Sequence, residues 1–278
     1  YLEEISMTGG TTEIKDGNRE QALKEMKLMV EDAKYAGYRL RTDDCYLSRF
    51  LNCCSWDPKK ACERVLAFCR LKADNPAFFC GPQTDPDVEF KELMDKNIKF
   101  LPGIKDKDGR PVYVVKIGLV DATKTDCPTI NRLDDYWIES IYDDTEIQEK
   151  GICVIMDIKD YSWRLLGWLT PHNIKVTSMK MEIGPVKQTK MHVVNSSRLM
   201  NAAIAISYPL LSDRIKENIH FHFSNWSSLH NHINPELLPS EYGGTGPDFD
   251  LAAAVEKLTK AKDKIKANFD WGFEKANK

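Results

Sequence analysis

Four histidines near the end of the chain have a spacing that could hold a metal ion. His220 and His222 lie two residues apart in a predicted strand, so their side chains share one face, and His230 and His232 follow closely. Zinc prefers imidazole and thiolate ligands, but no cysteine or carboxylate at ligand spacing accompanies these residues. The sequence therefore favours structural histidines with satisfied hydrogen bonds, and it predicts no metal and no other cofactor.

Asp157 is a second candidate for chemistry, because it ends a predicted central strand, where α/β enzymes often carry catalytic groups. No partner base or nucleophile accompanies it, which favours a carboxylate that accepts hydrogen bonds. The chain contains no phosphate-binding loop, nucleophile elbow, Cys-x-x-Cys pair or His-Glu-x-x-His motif. The glycine cluster at 243–246 precedes Pro247 and predicts a structural turn. We expect a protein without catalysis; an enzyme that uses Asp157 and the histidines stays open as an alternative.

The composition is that of an ordinary globular protein. The 278 residues are 42% hydrophobic and 29% charged, which excludes intrinsic disorder, and the net charge of −3 argues against a general nucleic-acid binder. No apolar stretch approaches the ~20 residues of a membrane span, and residues 1–17 show no signal-peptide pattern. We expect a cytoplasmic protein that is peripheral to membranes. Its eight cysteines, six of them in residues 45–80, are predicted to be reduced, buried thiols.

Hydrophobic periodicity divides the chain into a helical part and an α/β part. Apolar residues at 3.6 spacing predict helices across 19–101, one of them capped by Thr42 and another begun by Asp57-Pro58. Beyond residue 105, strands alternate with helices, which predicts an α/β fold with a largely parallel sheet. The predicted strands are 112–117, 152–158, 191–194 and 219–223, and the helices lie near 133–148, 170–182, 198–211 and 251–268. We expect a helical domain at 18–101, an α/β domain at 102–250 and a C-terminal helix within 251–278.

Residues 199–211 are apolar nearly all round, although a helix that crosses one face of a sheet should be amphipathic. Two interpretations stay open: a fully buried helix, or a lid over an apolar cavity. Strand alternation and nearby bulky residues support a cavity weakly, since the same residues could fill an ordinary core. The strand residues are Ile152, Val154, Met156, Met191 and Val193, and the bulky residues are Trp163, Leu166, Trp168 and Leu169.

Several sequence blocks together carry a resemblance to a known family. The most specific block runs from Leu237 to Gly244, Leu-Leu-Pro-Ser-Glu-Tyr-Gly-Gly, and it follows Ile219-His-Phe-His-Phe and the segment 228–233. These blocks resemble the end of the lipid-binding domain of the CRAL-TRIO family, which includes tocopherol- and retinaldehyde-binding members. Residues 43–51 and 57–79 resemble the small helical domain that precedes this fold, and 106–112 resemble the entry to its first strand. The resemblance covers about residues 20–270.

The resemblance implies a helical bundle packed on an α/β domain whose sheet floors an apolar pocket under a mobile helix, here 196–211. Proteins of this kind carry one lipid between membranes or to an enzyme, without covalent chemistry. The expected pocket residues are Ile152, Val154, Met156, Trp163, Leu169, Val186, Met191 and Val193. The expected lid residues are Met200, Ala203, Ile204, Ser207 and Leu211.

This chain matches only in part the basic rim that the family carries beside the lid. Tocopherol-type members bind phosphoinositide headgroups there, and the candidate rim residues of this chain are Lys187, Lys190, Arg214 and Lys216. Thr189 and Asn218 stand at usually basic positions, and Asn52 and Cys54 replace two arginines of the helical domain. We expect weakened contact with anionic lipids. A rim of merely solvated charges stays open.

The sequence thus predicts a non-enzymatic carrier of one small hydrophobic lipid, such as a tocopherol, a retinoid or a similar isoprenoid. It would meet membranes transiently and bind no nucleic acid. Two further alternatives stay open. A phospholipid or phosphoinositide exchanger would need polar groups in the pocket, and a lipid-sensing regulatory module would act through a protein contact.

Overall fold

A five-stranded sheet forms the centre of the computed structural model, which describes residues 16–32, 35, 37–195 and 199–273. The strands lie side by side in chain order; β1 is antiparallel to β2, and the later neighbours are parallel. This confirms the predicted α/β class. The strands are β1 (Lys99–Phe100), β2 (Val112–Lys116), β3 (Ile152–Asp157), β4 (Thr189–Val194) and β5 (Ile219–Phe223).

Helices precede the sheet, connect its strands and end the described chain. Local chemistry sets their starts: Asp43, Asp57 and Thr170 each cap a helix with a side-chain oxygen, and proline occupies the first turn after Asp57 and Thr170. The helices are α1 (Asp16–Val30), α2 (Asp44–Cys53), α3 (Pro58–Asp74), α4 (Pro86–Glu89), α5 (Lys91–Asp95), α6 (Cys127–Glu139), α7 (Thr145–Lys150), α8 (Trp163–Leu166), α9 (Pro171–Ile183), α10 (Met200–Ser207), α11 (Asp213–Lys216), α12 (Trp226–His230), α13 (Leu251–Lys260) and α14 (Lys262–Asn268).

Some elements differ from the sequence-based expectation. The cap of α2 is Asp43 rather than Thr42. The single helix predicted at 133–148 is two helices, α6 and α7, and the last predicted helix is interrupted between α13 and α14. Strand β1 was not expected; it is only two residues long, too short for a periodicity signal. It joins the sheet although it lies within the residues assigned to the helical domain.

The two largest apolar cores organise the fold. One lies among α1, α2 and α3, where Met26, Phe50 and Leu51 are fully buried. The larger one surrounds the sheet, and α13 and α14 contribute to it. The C-terminal segment also returns to the helical region, since the Lys72 ammonium donates to the Trp271 carbonyl at 2.5 Å. No disulfide joins any of the eight cysteines, all of which lie in the described residues; five are buried, but Cys45, Cys53 and Cys127 are only half-buried. None of the described helices is long and apolar enough to cross a bilayer.

The turn at the glycine cluster is linked to the end of β3 by a hydrogen bond between Tyr242 and Asp157. Asp157 accepts hydrogen bonds from the Asn195 amide at 2.7 Å, the Lys159 backbone N–H at 2.9 Å and the Tyr242 hydroxyl at 3.2 Å. The structure therefore supports the interpretation of Asp157 as a hydrogen-bond acceptor. Gly243 follows Tyr242 with φ +67°, and a Cβ there would collide with the Trp226 side chain. This turn thus requires glycine.

Gly243→Ala is expected to destabilise the protein by about 2 kcal/mol or more, because it combines a strained left-handed backbone with the Trp226 collision. The measurement is the free energy of unfolding by urea titration. Gly37→Ala is the control, since a Cβ added at Gly37 would have no atom within 4 Å and its φ is not positive. Equal stability of the two variants would contradict this account of the turn.

Candidate functional site

Two adjoining cavities lie on one face of the sheet. One, of about 350 Å³, lies under α10 and is named the lid cavity; the other, of about 260 Å³, is named the second cavity. Met156, Met181 and Met191 line both, so the cavities meet over the middle of β3 and β4. Methionine side chains are flexible and adapt to irregular shapes. The lid cavity alone falls within the roughly 300–1,000 Å³ of small-molecule binding sites, and the second cavity extends it.

The lid cavity is closed on one side by α10 and the turn that follows it. Ala203, Ile204 and Ser207 face the cavity and are half-buried, and Leu211 also lines it. On the outer side, Ala202 and Ala205 are exposed and Ile206 is 42% exposed. The fully buried helix is therefore wrong, and α10 covers the cavity with one side while its other side faces outward. The Met200 side chain lies outside the described residues, as do residues 196–198.

The second cavity combines strand residues with a set of charged side chains. Ile152, Val154, Met156, Val186 and Met191 line its apolar part. At its polar part, Asp134 accepts from the Tyr113 hydroxyl at 2.9 Å and from the Lys99 ammonium at 2.5 Å. The Lys99 ammonium also donates to the Ile130 carbonyl at 2.9 Å.

Further charges continue this polar part along α3, α6 and α9. The Lys180 ammonium lies 2.8 Å from the Asp135 carboxylate, and Lys72 is buried nearby in the lining. Burial lowers the pKa of Lys99, lowers that of Lys72 to about 8, and raises that of the Asp135 carboxyl. The second cavity thus offers buried donors beside an apolar wall, which suits the polar end of an amphiphile.

The expected pocket residues divide between the cavities, with one exception. Leu169 and Val193 line the lid cavity, together with the shared Met156 and Met191. Trp163 lines neither cavity and is 68% exposed, so its assignment to the pocket wall is wrong. The reason is that α8 is a single turn whose Leu165 points inward and is 1% exposed, which directs Trp163 outward.

The four candidate rim cations do not form one group. Lys187 and Arg214 are exposed neighbours, with the Arg214 guanidinium 3.2 Å from the Lys187 carbonyl. Lys216 lies over the Tyr208 ring and 3.4 Å from Asp213. Lys190 is separate, because strand alternation places it on the face opposite Met191, 3.6 Å from the Asp108 carboxylate.

The residues at usually basic positions have structural partners of their own. Asn52 is buried and accepts from the Trp56 indole at 3.1 Å. Asn218 accepts from the Gln188 amide at 2.7 Å, and Thr189 lines the second cavity. Arg64, which the sequence analysis did not single out, donates to the Gly184 carbonyl at 2.8 Å.

The structure also assembles groups that the sequence analysis did not connect. The Lys99, Tyr113 and Asp134 side chains come from three elements, and only their tertiary contact reveals a polar site. His192 lies beside His220, His222 and His232, whereas His230 bonds to the Tyr242 carbonyl at 3.0 Å instead. His192 is 28 residues before His220, so local spacing gave no signal.

Comparisons with known proteins agree with this architecture. The chain is 27% identical to Clavesin-1 of Xenopus laevis over 242 residues, covering 86% of this chain and 71% of that protein. Its identity to Clavesin-2 of Homo sapiens is also 27%, over 86% of this chain and 72% of the relative. A crystal structure of Sfh5 superimposes with a TM-score of 0.59 and 12% identity, covering 91% of this chain and 99% of the other.

A family model provides the assignment. The model of the CRAL/TRIO domain matches residues 95–244, more than half of the chain and the whole of the sheet with its lid helix. Together with a fold in which the sheet floors two adjoining cavities, this match shows that the chain belongs to the CRAL/TRIO family.

Proposed function

We propose that this protein is a non-enzymatic carrier that binds one isoprenoid-like lipid in the two adjoining cavities and exchanges it at membranes. The family is one of lipid-binding and lipid-transfer proteins. The observation that carries the proposal is the meeting of the largely apolar lid cavity with the second cavity at a shared boundary that includes Asp134 and the buried Lys99.

The cavities suit an amphiphile with a long apolar body and a small polar end. Burying ~500 Å² of apolar ligand surface at about 25 cal/mol/Å² contributes roughly 12 kcal/mol before the costs of association. The polar end would lie near the Lys99 ammonium, which donates to Ile130 and Asp134 and has a third N–H for a ligand hydroxyl, carbonyl or carboxyl. The Tyr113 hydroxyl already donates to Asp134. These features favour a tocopherol or retinoid type of ligand. The same donor is the observation that favours the second candidate, a phospholipid exchanger.

Native mass spectrometry of the purified protein, followed by organic extraction, tests the proposal. We expect one bound isoprenoid per chain, or uptake of α-tocopherol or retinol by protein that is recovered empty. A recovered phospholipid would support the second candidate. Protein that is empty and takes up no tocopherol, retinoid or phospholipid would overturn the carrier and favour the regulatory module.

Exchange at a membrane is supported by apolar side chains exposed around the lid cavity. Trp163 on α8, Ile206 on α10 and Leu210 after it are 68%, 42% and 51% exposed. The lid cavity is lined by the residues that follow Ile206 and Leu210 and by Leu165, two residues after Trp163. Contact of these side chains with lipid would favour an open position of α10 over the closed one. Lys187 and Arg214 add exposed positive charge for a transient contact with anionic lipids.

Trp163→Ala is expected to weaken liposome binding about fivefold or more and to slow lipid transfer, because tryptophan stabilises contact with the membrane interface. Liposome flotation and a donor-to-acceptor transfer assay measure this. Val88→Ala is the control, since Val88 is 79% exposed on α4 and lines neither lipid cavity. Unchanged transfer in the Trp163 variant would contradict this membrane contact.

The proposal also covers the division of the chain into a helical domain, a sheet domain and C-terminal helices. We infer that the helical bundle, the sheet domain and the C-terminal helices cooperate in one carrier. Arg49 from α2 and Phe269 after α14 both line the second cavity beside residues of the sheet.

A further inference from the structure

Four imidazole rings lie together on the face of the sheet opposite the lipid cavities. His192 on β4 is the register partner of His220 on β5, His222 is two residues further on, and His232 follows α12. The six distances between their ring centroids range from 4.6 to 6.4 Å. Three separate segments of the chain therefore meet at this cluster.

The ring nitrogens are close enough to share one ion. One nitrogen from each of His192, His222 and His232 lies within 4.8 Å of the other two. The closest pair is Nδ1 of His192 and Nε2 of His222, at 2.9 Å. Nitrogens bound to a tetrahedral zinc ion lie about 3.4 Å apart, given zinc–nitrogen bonds of about 2.0–2.1 Å. Side-chain shifts on the order of 1 Å would therefore suffice.

His192 carries an unsatisfied nitrogen, the ring nitrogen other than the Nδ1 that lies beside His222. Its side chain is fully buried, and its Nε2 has no hydrogen-bond partner. A structural histidine in a protein interior ordinarily has its polar atoms paired. His192 thus departs from the satisfied structural histidine that the sequence favours.

The surroundings of His222 resemble those of a metal ligand. Its Nδ1 lies 2.8 Å from the Ser228 hydroxyl, which leaves Nε2 directed at His192. Metal-binding histidines generally hold their second nitrogen in such an outer hydrogen bond.

The charges around the cluster are mixed. Lys190 faces it from β4 but lies 3.6 Å from the Asp108 carboxylate, and the charges of Asp106 and Lys107 also act on His232. The lysines disfavour a cation and the carboxylates favour one, so neutral nitrogen ligands carry the main attraction.

We propose that His192, His222 and His232 bind one divalent transition-metal ion, with zinc as the expected ion. The fourth tetrahedral position is open to water or to the neighbouring His220. The ion joins β4, the edge strand β5 and the segment after α12, and it stabilises this edge of the sheet. This proposal replaces the expectation of no metal. It is independent of the proposed lipid function, because the cluster and the cavities lie on opposite faces.

The test uses the full chain without an affinity tag, stripped with a chelator, dialysed against zinc chloride and then freed of excess metal. We expect one zinc ion per chain by mass spectrometry of the metal, a higher melting temperature with zinc, and a tetrahedral visible spectrum with Co²⁺. His232→Ala, at a half-buried position, is expected to weaken zinc binding at least about tenfold.

Two further variants keep this test decisive. His222→Ala is expected to reproduce the loss if the His232 variant proves unstable. His172→Ala is the control, because His172 is exposed on α9 and lies outside the cluster, so zinc binding should stay unchanged. Wild-type protein that binds no stoichiometric metal, or equal affinity in the wild type and both cluster variants, would overturn the proposal. Tight copper binding without zinc binding would retain the site but overturn the assignment of zinc.

Discussion

Ala203→Trp is expected to weaken lipid binding by more than about tenfold while the protein stays folded. Ala203 lines the lid cavity from α10, where a tryptophan side chain would take space that the lipid needs. Displacing about 100 Å² of lipid surface at about 25 cal/mol/Å² costs ~2.5 kcal/mol, which exceeds a factor of ten in Kd. The half-buried lid can yield outward, so the fold should tolerate the larger residue.

The matched control is Ala202→Trp, which adds the same side chain one residue earlier, on the exposed side of α10. Titration with retinol or α-tocopherol, followed by fluorescence, gives the affinities, and thermal unfolding checks the fold. We expect Ala202→Trp to bind as the wild type does. Equal affinities in two folded variants would show that α10 does not line the binding site.

Arg49→Ala is expected to lower the free energy of unfolding by about 3 kcal/mol or more. The Arg49 side chain is 1% exposed and bonds to Glu139 at 2.8 and 2.9 Å and to Asp143 at 2.6 Å, so it links α2 to α6 and to the segment after it. Its guanidinium also lies over the rings of Tyr46 and Tyr142. Removing the guanidinium leaves the Glu139 carboxylate without its counter-charge, whereas Asp143 keeps the Lys264 ammonium at 2.8 Å.

Urea titration of Arg49→Ala and of a control, Arg70→Ala, measures this loss; Arg70 is exposed on α3. We expect the control to stay within about 0.5 kcal/mol of the wild type. A loss in Arg49→Ala no larger than in the control would show that the bridge between the helical region and the sheet region contributes little.

The same bridge predicts a pH dependence. Burial alone would raise the pKa of the Asp143 carboxyl, but hydrogen bonds from Lys264 and Arg49 outweigh it and lower the pKa well below the usual value. A carboxyl with a lowered pKa stabilises the fold above its unfolded value, about 3.9, and this stabilisation is lost as pH falls further. The stability difference between wild type and Arg49→Ala should therefore shrink below about pH 4.

Local sequence signals predicted most of the elements. The caps at Asp57 and Thr170 and the continuous apolar run of β3 arise from neighbouring residues, which is why those elements were predicted nearly at their observed bounds. The missed β1 and the break between α13 and α14 depend on packing instead. Trp163 shows the same limit: its bulk and position suggested a pocket wall, but the packing of Leu165 turned it outward.

By itself, the sequence determined the α/β class and the alternating faces of the strands, because alternation along a strand is a local property. Tertiary structure alone decided which side of α10 covers a cavity, where Lys99 meets Tyr113 and Asp134, and that His192 joins the later histidines. These arrangements require side chains from distant segments to meet, and residue spacing carries no information about such meetings until the sheet order and register are known.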